Sequence, residues 1–140
     1  MKSMAIWWPA VAMVALTFVV WLRMFRVRIG QMKRERIHPQ SVATSAEAAA
    51  RLTDSRVADN FRNLFELPVL FYLALVVAAQ ADLVGPVVLA FAWAFVVLRM
   101  LHSWIQCTYN KVMHRFRAYA AGGFVLWALW AALAIGLLRA

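Results

Sequence analysis

Apolar residues fill four stretches of the chain, Met4–Leu22, Leu64–Ala79, Leu83–Leu98 and Ala118–Leu138. Polar groups gather at one end of three of them. Arg62, Asn63 and Glu66 open the second, Arg99, His102 and Gln106 close the third, and Arg115 and Arg117 precede the fourth. A helix that crosses a bilayer needs about 20 mostly apolar residues. The first and fourth stretches meet this length directly. The second and third meet it once their polar ends are included, so those ends belong inside the membrane or its interface. The pattern predicts an all-α integral membrane protein, a four-helix bundle in one domain over residues 1–140.

Local signals sharpen the boundaries. The first helix is predicted from Met4 through Arg28, with Trp7 and Trp8 at its outer end, where indoles favour the interface. Its apolar run outlasts a signal-peptide core and stops at Arg23, Arg26 and Arg28, which marks a retained span. Gly30, His38 and Pro39 punctuate the segment beyond Arg28. Thr44 and Glu47 have the spacing of a capping box, predicting a short interfacial helix to Arg51. Thr53 or Asp54 can cap a helix leading into the second span. Asp82 with Gly85-Pro86 marks one turn, and Asn110 with the basic group Lys111–Arg117 marks another. Gly122-Gly123 lies inside the fourth helix, where small residues let helices approach closely.

Composition agrees: 65% of residues are hydrophobic and 15% charged, against about 45–50% and about 25% in soluble domains. The net charge of +9 is a topology signal rather than a nucleic-acid footprint. Of the fifteen lysines and arginines, all but Lys2 and Arg139 fall in Arg23–Arg62 or Arg99–Arg117. Positive residues stay on the cytoplasmic side. Four spans then place both basic regions in the cytoplasm, near anionic headgroups, and both termini outside, as in a bacterial inner membrane. The single cysteine, Cys107, excludes an internal disulfide and reads as a packing residue. No His, Cys, Asp or Glu spacing suggests a metal site.

Antiparallel spans bring the start of helix two, the end of helix three and the start of helix four to one depth. In a continuous helix, Asp59, Arg62, Asn63 and Glu66 share a face, being spaced i, i+3, i+4 and i+7. Arg99, His102, Gln106 and Asn110 are spaced three, four and four apart and share another. Two such stripes can line a pocket with excess positive charge, a carboxylate, amides and an imidazole, suited to a polar anionic ligand and within reach of an apolar molecule in the bilayer. The plainer reading is an Arg62–Glu66 pair along one helix and an Arg99 that snorkels to headgroups. It leaves the amides and the imidazole on those faces unexplained.

The run Arg62-Asn63-Leu64-Phe65-Glu66-Leu67-Pro68, with Val69-Leu70-Phe71 after it, resembles the helix-two signature of the MAPEG family, the membrane-associated proteins in eicosanoid and glutathione metabolism. Arg99-x-x-His102, with Arg115 thirteen residues after the histidine, is similar to the helix-three-to-four pattern of its prostaglandin-synthase branch. The resemblance covers essentially the whole chain. It implies a homotrimer with glutathione bound between neighbouring subunits near the cytoplasmic side, acting on a lipophilic small molecule. By position, Asn63 and Glu66 would hold polar groups of the tripeptide, with Glu66 facing its ammonium. Arg62, Arg99 and Arg26 (or Arg23) would answer its carboxylates, and His102 would add a hydrogen bond. Arg115 would be the catalytic residue beside the thiol, since a nearby cation favours the nucleophilic thiolate.

Gln106 stands where family enzymes often carry a tyrosine, with Tyr109 further on; Phe116 replaces a small hydroxyl residue; and Pro68 comes closer to Glu66 than in the animal enzymes. Three functions remain open: a glutathione-dependent transferase or peroxidase, a non-catalytic binding protein on the same fold, and a small transporter using Glu66. The transporter predicts an isolated acid, whereas Glu66 comes with Arg62 and Asn63. The topology is directly testable. Labelling of engineered cysteines in a Cys107→Ser background is expected to find residues 80–86 and both termini outside and residues 40–55 inside. Labelling of 40–55 from the outside would overturn it.

Overall fold

A computed structural model of the protein describes residues 2–140. Among these, the elements are helical: a 3₁₀ turn at Lys2–Ile6, then α1 (Trp7–Arg34), a 3₁₀ turn at Pro39–Val42, α2 (Ser45–Arg51), α3 (Arg56–Asn63), α4 (Leu67–Gln80), α5 (Pro86–Cys107) and α6 (Val112–Arg139). Four segments are long and apolar enough to span a membrane: Met4–Arg34, Arg56–Gln80, Pro86–Cys107 and Val112–Arg139. The chain is an all-α integral membrane protein with four spans.

α1 runs six residues beyond Arg28, to Arg34. Nothing in Ile29–Lys33 breaks a helix strongly enough to stop it, and Lys33 and Arg34 suit the negative end of the helix dipole. It closes where Arg36 turns left-handed at φ 52°. The link to the second span is pinned by Gln31, which is buried and donates to Glu35 Oε1 at 3.0 Å and Thr53 Oγ1 at 2.9 Å. The capping box at α2 is present in full: the Glu47 amide donates to Thr44 Oγ1 at 3.2 Å, and the Thr44 amide donates to Glu47 Oε2 at 3.0 Å. Ser55, not Thr53 or Asp54, precedes α3. Asp54 instead accepts two bonds from the Arg56 guanidinium, at 2.9 Å and 2.9 Å. Those bonds hold its carboxyl below the usual carboxylate range.

The second span departs from the expected continuous helix. It is two helices, broken at residues 64–66, so Glu66 does not continue the face of Asp59, Arg62 and Asn63. The cause is Pro68, which has no N–H and whose ring clashes with the carbonyl four residues back, that of Leu64. The chain tightens to three-residue bonds there: the Phe65 amide donates to the Arg62 carbonyl at 3.0 Å and the Glu66 amide to the Asn63 carbonyl at 3.3 Å. Glu66 lies outside helical geometry (φ −94°, ψ −106°), and α4 starts anew with Pro68 in its first turn.

The core lies between the spans. Phe71 and Phe95 stack with centroids 4.5 Å apart, packed in one buried cluster with Ala74, Ala78, Ala92, Leu126, Leu129 and Leu133. Gly122 and Gly123 are buried as expected. A methyl on either would meet only ordinary contacts, at 3.7 Å to Leu98 Cβ and 3.7 Å to Leu67 Cδ1. The tighter approach is at Gly136, where a methyl would sit 2.9 Å from Leu83 Cδ1. Phe18, Val19, Phe124, Trp127 and Leu138 are exposed, an outer surface suited to lipid.

At the loop end of α5, several donors converge. Arg23 of α1 donates to the Cys107 carbonyl at 2.8 Å, and Arg56 of α3 donates to the Thr108 carbonyl at 2.6 Å. Beneath them Asn60, fully buried, accepts from Ser103 Oγ at 3.2 Å and donates to Cys107 Sγ at 3.4 Å. Cys107 is the packing residue its isolation suggests. Asn60→Ala is expected to destabilise the fold by about 1–3 kcal/mol, because Ser103 is left unsatisfied in the interior. Thermal unfolding in mild detergent should register this; an unchanged transition would mean the bonds add nothing.

Candidate functional site

Helical spacing builds one cavity from three elements. α3 supplies Asp59 and Asn63, four apart. α5 supplies His102 and Gln106, also four apart. α6 supplies Val112, Arg115, Phe116 and Tyr119, one face over two turns. Together they enclose about 330 Å³, at the low end of small-molecule sites, roughly 300–1,000 Å³.

The polar groups on its walls are partly ordered by one another. Asn63 donates to Gln106 Oε1 at 3.2 Å, tying α3 to α5 across the cavity. The Arg115 guanidinium donates to Asn110 Oδ1 at 2.9 Å. α5 ends at Cys107, so Asn110 lies off the Arg99–His102–Gln106 face where regular spacing would put it. Asn110 takes a left-handed turn at φ 47°, a conformation asparagine tolerates better than most residues.

Behind this wall lies Arg99, only 1% exposed. Its guanidinium sits 4.9 Å from the ring centre of Tyr119 and 5.4 Å from that of Phe95. Among the described residues, none of its three nitrogens has a hydrogen-bond partner, and neither does His102 Nδ1. The His102 and Tyr119 rings lie 5.7 Å apart. Two aromatic faces give the cation quadrupolar attraction, and the charge of Glu66 acts on it without a contact ion pair.

Within one chain the structure therefore brings Asn63, His102 and Arg115 to a common cavity, with Arg99 one contact behind. Arg26, Arg62 and Glu66 lie exposed on the outside. Arg62 has Asp59 at 3.8 Å, and Glu66 makes no ion pair among the described residues. Arg23 is committed to the end of α5. One contributor was missed in the sequence, and another was named but placed on the wrong face. Tyr119 lies four residues beyond Arg115 on one helix face, a spacing that could have found it. Asn110 as the partner of Arg115 had no such signal, because it depends on where α5 stops. The cavity presents amide and imidazole groups with the Arg115 guanidinium and the Asp59 carboxylate, and Arg99 lies behind Tyr119, so it suits a polar ligand that carries both charges.

Arg99 is buried without a hydrogen bond or a contact ion pair among the described residues. Insertion scales put an arginine at mid-membrane near about 2.5–3.5 kcal/mol. Arg99→Met is expected to raise the melting temperature of the ligand-free protein in detergent. A fall would mean that the aromatic faces and the Glu66 charge outweigh the cost of burial.

No curated protein and no solved structure matches the chain in sequence or structure comparison. The profile of the MAPEG family does match, over residues 6–135, nearly the whole length. With four spans and the family profile matching across them, the protein belongs to the MAPEG family.

Proposed function

We propose that this protein binds glutathione at the cavity of Asn63, His102, Gln106 and Arg115, and transfers or oxidises its thiol in reactions with lipophilic electrophiles. The observation that carries the reading is the buried, hydrogen-bond-free guanidinium of Arg99 beside the unpartnered Nδ1 of His102. Such a pair favours an anionic group on a ligand whose other polar groups meet Asn63, Gln106 and Asp59. Glutathione is an anionic tripeptide, and membership of the family supports it over other anions. The working unit is a homotrimer. Arg26, Arg62 and Glu66 are exposed on the single chain, and a neighbouring copy would cover them and complete the site. The basic loops face the cytoplasm by the positive-inside rule, and both termini face away from it.

When bound, glutathione supplies a thiol that, once deprotonated, forms a sulfur–carbon bond as the acceptor's leaving group departs with its electron pair. The chain's residues prepare this step. Asn63 and Gln106 present fixed amides. His102 donates or accepts at Nδ1. Glu66 holds the ligand's ammonium, and Arg62, Arg99 and Arg26 answer its carboxylates. Arg115, oriented by Asn110, stabilises negative charge on sulfur, lowering a thiol pKa that is about 8.5 when unperturbed. Tyr119 lines the same cavity, and its hydroxyl is a candidate donor to the sulfur.

A second reading, binding without turnover, is favoured by one feature. Gln106 is already hydrogen-bonded to Asn63, so the tyrosine usual at this turn is replaced by a group that cannot act as an acid.

Calorimetry of the detergent-solubilised protein with glutathione, and then conjugation of a generic aryl halide, separates these outcomes. Glu66→Gln is expected to weaken binding roughly ten- to a hundredfold, the loss of a charge-assisted hydrogen bond of about 1.5–3 kcal/mol. Arg115→Ala is expected to spare most of the affinity but lower thiolate absorbance near neutral pH, and conjugation with it. No binding at millimolar glutathione would sink the proposal. Unchanged thiolate in Arg115→Ala would remove Arg115 from the chemistry.

A further inference from the structure

The loop end of the α5–α6 hairpin carries a second groove, on the opposite side from the glutathione cavity. On α6 the cavity takes Val112, Arg115, Phe116 and Tyr119. The second groove takes His114, Arg117, Ala118 and Ala121, the same spacing moved on by two residues. Two residues are about 200° around a helix, so the two sets face nearly opposite ways. On α5 the two sets are neighbours, about 90° apart: His102 and Gln106 serve the cavity, while Leu98, Leu101 and Ile105 floor the groove, an open one of about 350 Å³.

Its groups are sorted along the membrane normal. Leu98, Leu101, Ile105, Ala118 and Ala121 form the part nearer mid-membrane, and all are apolar. Tyr109, His114 and Arg117 form the loop end. There Tyr109 Oη and His114 Nδ1 are 3.0 Å apart, and Trp104 meets Tyr109 edge-on at 5.9 Å. Trp104 is 61% exposed, an indole placed as at a headgroup interface.

The charge at this mouth is unbalanced. Arg117 is exposed and makes no ion pair among the described residues. No aspartate or glutamate occurs anywhere from Leu83 to Ala140, so neither helix of the hairpin can supply one. A groove that offers a cation and two hydrogen-bonding groups above an apolar channel matches a molecule with an anionic head and a hydrocarbon tail.

We propose that this groove binds one anionic phospholipid. The phosphate sits at Arg117 with the Tyr109–His114 pair, and an acyl chain lies along Leu98, Leu101, Ile105, Ala118 and Ala121. Hydrocarbon gains little by leaving one apolar surroundings for another, so selectivity rests on the headgroup contact with Arg117, and the channel sets where the lipid lies.

The test is native mass spectrometry of the full-length protein released from detergent containing phosphatidylglycerol, phosphatidylcholine or an equal mixture. Wild-type protein should retain phosphatidylglycerol over phosphatidylcholine, and glycerophosphoglycerol, which has the headgroup without acyl chains, should not displace it. Arg117→Gln should cut retention by at least about tenfold, the loss of one charge-assisted contact. Arg117→Lys should restore part of it. Ala121→Phe, which fills the channel and leaves the charge, should also cut it, with folding checked by thermal melting. Lys33→Gln, which removes a base from the end of α1, should leave retention unchanged. Equal retention of phosphatidylcholine, no effect of Arg117→Gln, or an equal effect of Lys33→Gln would overturn the proposal. So would an Ala121→Cys variant that cross-links efficiently to a second copy, since the groove would then be a contact between chains.

Discussion

The carboxyl end of α5 leaves carbonyls that need partners from elsewhere in the chain, and this end of the bundle is organised around that demand. The last four carbonyls of a helix have no partner within it. Here the Ile105 carbonyl takes the Asn110 amide at 2.8 Å, and the Trp104 carbonyl takes the Thr108 hydroxyl at 2.5 Å. Arg23 and Arg56 serve the Cys107 and Thr108 carbonyls. Because Arg23 belongs to α1 and Arg56 to α3, the bonds that close α5 also hold two other helices against it. Their positive charge suits the negative end of the dipole. His102, Ser103 and Gln106 lie within two turns of this anchored end and take their positions from it.

A second constraint comes from one proline. Pro68 breaks the span that Arg62 and Glu66 would otherwise share, and the break separates their directions. Asn63 stays on α3 and reaches Gln106, while Glu66 is left at the start of α4, exposed. An acid freed from its helix face is free to meet a partner from outside the chain. An acid held at i+4 from Arg62 would be neutralised at home.

Much of the fold was legible because each feature was local. Four apolar runs gave four spans. Thr44 and Glu47 gave a capping box, Gly85-Pro86 gave the start of α5, and Asn110 gave a turn. The break in span two was present in the letters as Pro68, but periodicity alone carried the Asp59–Glu66 face straight through it; only the clash with the Leu64 carbonyl ends that face. The site was less legible. Spacing marked Asn63 and His102, the family resemblance added Arg115, and the three do meet at one cavity. Whether Arg23 or Arg26 turns inward depends on how the segment from Glu35 to Ser55 returns to the bundle, which no periodicity encodes. The partnership of Arg115 with Asn110 is set by the residue at which α5 stops. These are tertiary distances, and residue spacing does not report them.

The α5–α6 hairpin holds Arg99, Arg115 and Arg117 without a single acid of its own, and the three meet that imbalance differently. Arg115 takes an amide oxygen, with Asp59 of α3 on the same cavity wall. Arg99 takes two aromatic faces. Arg117 takes nothing within the described chain. Attraction between charges scales inversely with the dielectric, so a cation held in or beside hydrocarbon draws an anion far more strongly than one in bulk water. The same helix pair therefore presents positive potential on two opposite faces. On one side the walls are amide and imidazole with the Asp59 carboxylate and favour a compact polar ligand of mixed charge; on the other they are leucine, isoleucine and alanine and favour an anion with a tail. Which ligand each face accepts is decided by the residues around the cation, because the cation itself is common to both.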